Sequence, residues 1–149
     1  MHFTNAVLEE SLRITGFVHA NLPHHSSKPI ECNGFTIPAN CTIFGNLFHI
    51  MNDPEVWKEP YNFRPERFLD QDGTFHHNER VIPFALGKRY CMGQSFAEKE
   101  LFLFFVGLIQ KFKFVSPPDQ KLQSYHPDCS FPKGALRKCP DFSVKLEHW

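Results

Sequence analysis

No stretch of this chain stays apolar for longer than nine residues, and that run, Leu101 to Ile109, is about half of the roughly 18 to 20 that a helix needs to cross a bilayer. A membrane-spanning helix is therefore excluded within these residues. An excess of charge is also missing. Sixteen Lys and Arg balance sixteen Asp and Glu, and charged residues make up only 21% of the chain, which excludes a polybasic arm that holds nucleic acid by charge and an acidic disordered tail. The five cysteines, at 32, 41, 91, 129 and 139, include no C-x-x-C pair. The N-terminus, Met1-His2-Phe3-Thr4-Asn5, has neither the basic start nor the apolar stretch of a signal peptide, so reduced thiols are expected, with one left over for a special role. Neither G-x-S-x-G nor G-x-x-x-x-G-K-[ST] occurs, which removes the nucleophile-elbow hydrolase and phosphate-loop readings.

What is present is a chain of 149 residues with 42% hydrophobic content, enough for one domain at most. Seventeen of the aromatics are Phe, and twelve Pro with eight Gly point to a core threaded by turns rather than to a helical bundle. The expected class is α+β. Residues 3–15, free of Gly and Pro and with apolar residues at mixed three- and four-residue spacing, predict a helix that Gly16 ends. Residues 17–50 predict a small antiparallel sheet, with Asn33-Gly34 as a hairpin turn between Ile30-Glu31-Cys32 and Phe35-Thr36-Ile37. Asp53-Pro54-Glu55 reads as the cap and first turn of a short helix through Trp57. Residues 58–83 have no clear period and form a long irregular loop, and ordered loops of that length are usually functional. Residues 94–114 predict a helix whose middle is apolar on every side and so needs neighbours all round. Strands are expected over 130–147, where Phe142, Val144 and Leu146 alternate with polar residues.

The segment with most chemistry is Phe84-Ala85-Leu86-Gly87-Lys88-Arg89-Tyr90-Cys91-Met92-Gly93, directly upstream of the long helix. A thiol placed where a helix begins meets unpaired backbone N–H groups and the positive end of the dipole, which favours the anion that binds metal or attacks an electrophile. Gly87 and Gly93 permit a tight turn and close approach of something flat, Arg89 can hold an anionic group at the edge of such a ligand, and Phe84 can wall the sulfur from water. A lone cysteine is ordinarily just a buried small hydrophobe. Here two glycines, an arginine, a phenylalanine and a following helix fall at fixed offsets around it. A zinc centre would need ligands that His24-His25, His76-His77, Cys32 and Cys41 could supply by type, but their spacing is not that of structural zinc sites.

Those ten residues match in full the haem-binding loop Phe-x-x-Gly-x-Arg-x-Cys-x-Gly of the cytochrome P450 haem-thiolate monooxygenases. Glu10-Ser11-Leu12-Arg13 resembles the Glu-x-x-Arg helix of that family, Phe63-Arg64-Pro65-Glu66-Arg67-Phe68 resembles its Pro-Glu-Arg-Phe segment, and the stretch before Phe84 resembles its meander. Order and spacing agree from about Phe3 to Glu147. The implied fold is the C-terminal part of the mainly helical cytochrome P450 domain, with a small sheet, a meander over 58–83, the haem loop over 84–93 and a long buried helix.

The resemblance implies haem b as cofactor and Cys91 as proximal ligand of its iron and catalytic thiolate. Phe84, Gly87, Arg89 and Gly93 would contact the haem, and His24, after Leu22-Pro23, stands where microsomal members often put a basic residue against a propionate. By spacing alone Glu10 and Arg13 are an i,i+3 pair, usually solvated. With Arg67 the resemblance makes them a buried Glu–Arg–Arg network that fixes helix to meander. Val18, Asn21, Leu22, Ala135 and Leu136 resemble segments lining the substrate pocket. The implied reaction puts one oxygen atom from dioxygen into a small lipophilic substrate, with electrons from an NADPH-dependent flavoprotein reductase, for which Lys88 is a weak contact candidate, and with no nucleic-acid partner. Gly-Lys-Arg at the loop and Glu-Leu-Phe-Leu-Phe in the helix look like microsomal drug- and steroid-metabolising members, which implies the endoplasmic reticulum membrane, reached through an anchor that this chain does not contain. Two readings follow. The chain is part of a working monooxygenase, or it is a truncated, non-catalytic fragment that at most binds haem or partner proteins.

Overall fold

The structure is a computed structural model and describes residues 1–118, 136 and 141–149. It is a mixed α+β arrangement. Helix α1, His2–Thr15, buries one face through Ala6, Glu10, Arg13 and Ile14, the spacing that puts residues above one another on a helix. Gly16 stops it in the left-handed conformation at φ 47°, and a Cβ there would lie 2.7 Å from the Phe48 ring, so both the backbone and the packing require glycine.

Residues 17–50 hold two short antiparallel ribbons rather than one sheet. Strand β1, His24–His25, pairs with β4, Thr42–Ile43, and between them β2, Ile30–Cys32, pairs with β3, Phe35–Ile37. Asn33 and Gly34 both have positive φ, at 46° and 81°, as a two-residue hairpin turn of the primed type demands. The expected helix through Trp57 is displaced. Helix α2 spans Leu47–Asn52, started by the Asn46 side chain, which accepts the His49 N–H. Pro54 forces the preceding Asp53 into an extended conformation with ψ 118°, which ends α2, and 53–57 closes only one turn, with the Trp57 N–H on the Asp53 carbonyl at 2.8 Å.

The stretch that follows is irregular but tied down. Pro65–Phe68 makes one 3-10 turn, and Leu69 bridges to Phe75. The core lies here, between α1 and this segment: Ala6, Trp57, Phe68 and Val81 form one cluster, and Leu47, Met51 and Ile82 a second that Ala85 packs against. Helix α3, Gln94–Lys111, ends three residues short of the predicted Phe114 because Phe112 turns extended and opens β5, Phe112–Val115. Strand β5 pairs with β6, Lys145–His148, with Phe114 opposite Leu146, and that pairing overrides helical propensity. Phe142 and Val144 precede β6, and the strand is largely exposed on both faces among the described residues. The 130–147 expectation otherwise falls partly on residues 130–135 and 137–140, outside the described residues. No residue of α3 is buried by the described parts of the chain, and Leu103 and Phe104 are 68% and 65% exposed.

Candidate functional site

Two constructions hold most of the candidate residues. The first is a buried polar centre on α1. Glu10 and Arg13 are both fully buried and joined through two bonds, Arg13 Nε to Glu10 Oε2 at 2.7 Å and Nη2 to Oε1 at 2.9 Å. The carboxylate also accepts Nε of Arg67 at 3.2 Å and the backbone N–H of Arg64 at 2.9 Å. Arg13 spends its remaining donors on the carbonyls of Met51 and Pro60 and, at 3.4 Å, on the Asn52 side chain, while Arg67 reaches the carbonyls of Lys58, Glu59 and Asn62. Both guanidinium groups lie over the Trp57 ring, whose indole N–H is held by the Ile50 carbonyl. Burial pulls the Arg67 guanidinium below the ordinary arginine range, an effect Glu10 opposes and Arg13 reinforces. Every partner beyond Glu10, Arg13 and Arg67 escaped the sequence reading. Carbonyls at 51, 58, 59, 60 and 62 carry no residue signature, and Trp57 entered only as the end of an expected short helix.

The second construction is the loop itself. The Cys91 N–H donates to the Phe84 carbonyl at 2.9 Å, closing residues 84–91 into one loop, and the Tyr90 N–H closes a 3-10 turn on Gly87. Ala85 and Gly87 both have left-handed φ, at 62° and 77°, so the chain reverses twice in three residues. The Gln94 N–H on the Cys91 carbonyl then launches α3. Cys91 is a free, exposed thiol just ahead of the helix, with Leu86, Lys88, Arg89, Tyr90 and Met92 exposed around it and Phe84 half-buried beneath. A Cβ on Gly87 would meet nothing within 4 Å, and one on Gly93 would make only ordinary contact with the Cys91 sulfur at 3.7 Å. The protein therefore leaves both glycine faces open, and backbone conformation alone calls for glycine only at 87.

The remaining candidates are more dispersed. His24 sits half-buried in β1 opposite Ile43, with no contact to the loop among those described. Val18 bridges to Leu136, which brings two of the pocket candidates together, and Asn21 anchors the same region by accepting the Gly45 N–H at 2.6 Å. Leu22 is 80% exposed, and Ala135 lies outside the described residues. Among the described residues no three His, Cys, Asp or Glu side chains gather to hold a metal ion, and Cys32, Cys41 and Cys91 are unpaired thiols.

A third feature was not legible in sequence. Between α1, residues 77–86 and the start of α3 lies a cavity of about 350 Å³, lined by Glu9, Leu12, His77, Phe84 and Glu98 among others. Glu9 Oε1 is covered from solvent and lies 2.6 Å from His77 Nδ1, an ion-pair contact without hydrogen-bond alignment.

Comparison with known proteins gives the family of the chain that carries these features. The family model for cytochrome P450 matches residues 1–144, and this chain belongs to the cytochrome P450 family. It is 46% identical to cytochrome P450 2D3 of Rattus norvegicus over 120 residues, which is 80% of this chain and 24% of that protein. Cytochrome P450 2D14 and cytochrome P450 2U1 of Bos taurus are each 44% identical, over 126 and 121 residues, covering 85% and 81% of this chain and 25% and 22% of theirs. The chain thus spans about a quarter of the length of the curated relatives it matches.

Proposed function

We propose that this chain supplies the proximal, thiolate half of a haem-dependent monooxygenase acting on a small lipophilic substrate, and that it corresponds to the C-terminal part of the cytochrome P450 fold. The observation that carries the proposal is the Cys91 loop: a free exposed thiol, held by its own N–H to Phe84, at the head of a helix in a chain of this family. The residues present suit haem b. An unpaired thiol is a soft ligand for iron, the exposed apolar side chains of Leu86, Met92 and Phe96 suit the flat face of a macrocycle, and Arg89 suits a propionate, with His24 as second candidate. Gly87 and Gly93 leave the backbone bare on that side.

When bound, haem supplies dioxygen activation, and a thiolate ligand favours O–O cleavage. This chain's own part is to hold the sulfur. The Phe84–Cys91 bond and the launch of α3 fix the Cys91 backbone, and the buried Glu10 centre fixes α1 to the segment that leads into the loop. Charge on the sulfur would stand just ahead of the N-terminal end of α3, where the helix dipole favours an anion. Val18 and Leu136 form part of a pocket wall, with Asn21 positioning it, and Leu22 and Ala135 as further members. Electrons would come from a flavoprotein reductase, with Lys88 as one exposed cation on the thiolate side. By likeness to the microsomal style of its loop and helix, the complete protein would sit at the endoplasmic reticulum membrane; no helix among the described residues is long and apolar enough to cross one.

The test is spectroscopic: haem-loaded protein, reduced under carbon monoxide, should show a thiolate-type band that Cys91→Ala removes. Oxidation of lipophilic substrates should depend on the reductase and disappear with that substitution.

A further inference from the structure

We propose that Glu9 and His77 form a one-proton latch that holds residues 77–86, and through Phe84 the cysteine loop, against α1, so that closing this segment takes up a proton from solvent. The latch stands on geometry independent of the haem reading; only its consequence for the thiolate rests on that reading.

Glu9 Oε1 is covered from solvent, and its side chain as a whole is only 11% exposed, yet no hydrogen bond of good geometry satisfies that oxygen. What it has is His77 Nδ1 at 2.6 Å, on an imidazole that remains 58% exposed and free to exchange protons with water. The Asn78 backbone N–H faces the same carboxylate. Against these stand two further acids, Glu98 from α3 and Glu79 from the segment itself, both lining the shared cavity. Glu10, next along α1, is already neutralised by Arg13 and Arg67. A charged Glu9 beside a neutral imidazole would be a desolvated anion that Glu98 disfavours further. A proton held between Oε1 and Nδ1 removes that state.

The sign follows from burial, which pushes the Glu9 carboxyl above its ordinary range, with His77 and the Asn78 N–H opposing. A raised folded value means that the stabilisation is complete below the unfolded value and is lost as pH rises through the folded one. Val81, Ile82 and Ala85 of the latched segment pack into both cores, and Phe84 carries the carbonyl that closes the loop on Cys91. A segment that opens more at high pH therefore loosens the loop.

Amide hydrogen exchange of peptides covering 79–86, measured on the complete haem-loaded protein from about pH 5 to 8.5 and divided by intrinsic rates, reads the opening equilibrium. Wild type should open more as pH rises from the ordinary carboxyl range towards the raised folded value, by at most about tenfold per pH unit, the slope of one proton. Glu9→Gln, a neutral isostere of the protonated acid, should abolish the slope and stay protected at pH 8.5. His77→Gln, which removes the group that holds the Glu9 carboxyl down, should keep the slope and move it to higher pH, and it decides the matter if Glu9→Gln does not fold. A flat wild-type profile, a slope that survives Glu9→Gln, or a His77→Gln profile unmoved from wild type overturns the latch. Absence of haem uptake by wild type would instead count against the proposed function, and the exchange profile of the haem-free protein still tests the latch.

Discussion

At the residue scale the loop separates two reasons for a left-handed backbone. Gly87 at φ 77° is free of strain, while Ala85 at φ 62° pays for its Cβ. Ala85→Gly is expected to stabilise the protein by about 0.5–1 kcal/mol and Gly87→Ala to destabilise it by about 1–2 kcal/mol, both measurable by urea denaturation. Glu10→Ala would strand Arg13, buried at 0% exposure with two carbonyl partners but no counter-charge, and the expected loss is about 3–5 kcal/mol. An unchanged denaturation midpoint would show the centre to be dispensable. By spacing the sequence offered Glu10 and Arg13 only as a solvated i,i+3 pair, and Arg67 and burial came with the family resemblance. The sequence was silent on the carbonyls of Met51 and Pro60, since any residue has a carbonyl and only the fold decides where it points.

At the scale of elements, local chemistry was readable where it acts alone. The Asn33-Gly34 turn and the Gly16 stop are set by backbone conformations few other residues adopt, and both stand where the sequence put them. Boundaries set by partners were not readable. Helix α3 stops at Lys111 because β6, more than thirty residues later, recruits Phe112–Val115 into a ribbon. The short helix lies at 47–52 because Asn46 is the better-placed cap and Pro54 disfavours helix at Asp53. Since the β2–β3 hairpin is exposed at almost every position, it should open independently of the core. Gly34→Val, which forces a β-branched residue to φ 81°, is expected to raise exchange of the β2 and β3 amides about tenfold and leave α1 unchanged. Faster exchange in α1 would mean that the ribbon and the core open together.

At the scale of the whole molecule, the core is one-sided. Among the described residues, buried side chains gather between α1, α2 and the 57–82 segment, whereas α3 shows Phe96, Leu103, Phe104 and Leu108 at the surface. So much exposed apolar area on one helix is the signature of a face that seeks cover. The 149 residues expressed by themselves are therefore expected to bind hydrophobic dyes strongly, to associate, and to turn over no substrate. A monomeric, dye-silent and active preparation would contradict that picture and favour a self-sufficient unit. The same asymmetry explains why composition misled: seventeen Phe promised a full core, yet several of them face outward from α3 and the ribbons.

The central claim is that Cys91, on its loop at the head of α3, is the thiolate ligand of haem iron. The most direct measurement is the reduced carbon monoxide difference spectrum of the complete, haem-loaded protein, compared among wild type, Cys91→Ala and Cys41→Ala. A thiolate-type band in wild type and Cys41→Ala, with none in Cys91→Ala, is the expected result. Persistence of that band without the Cys91 sulfur would contradict the account.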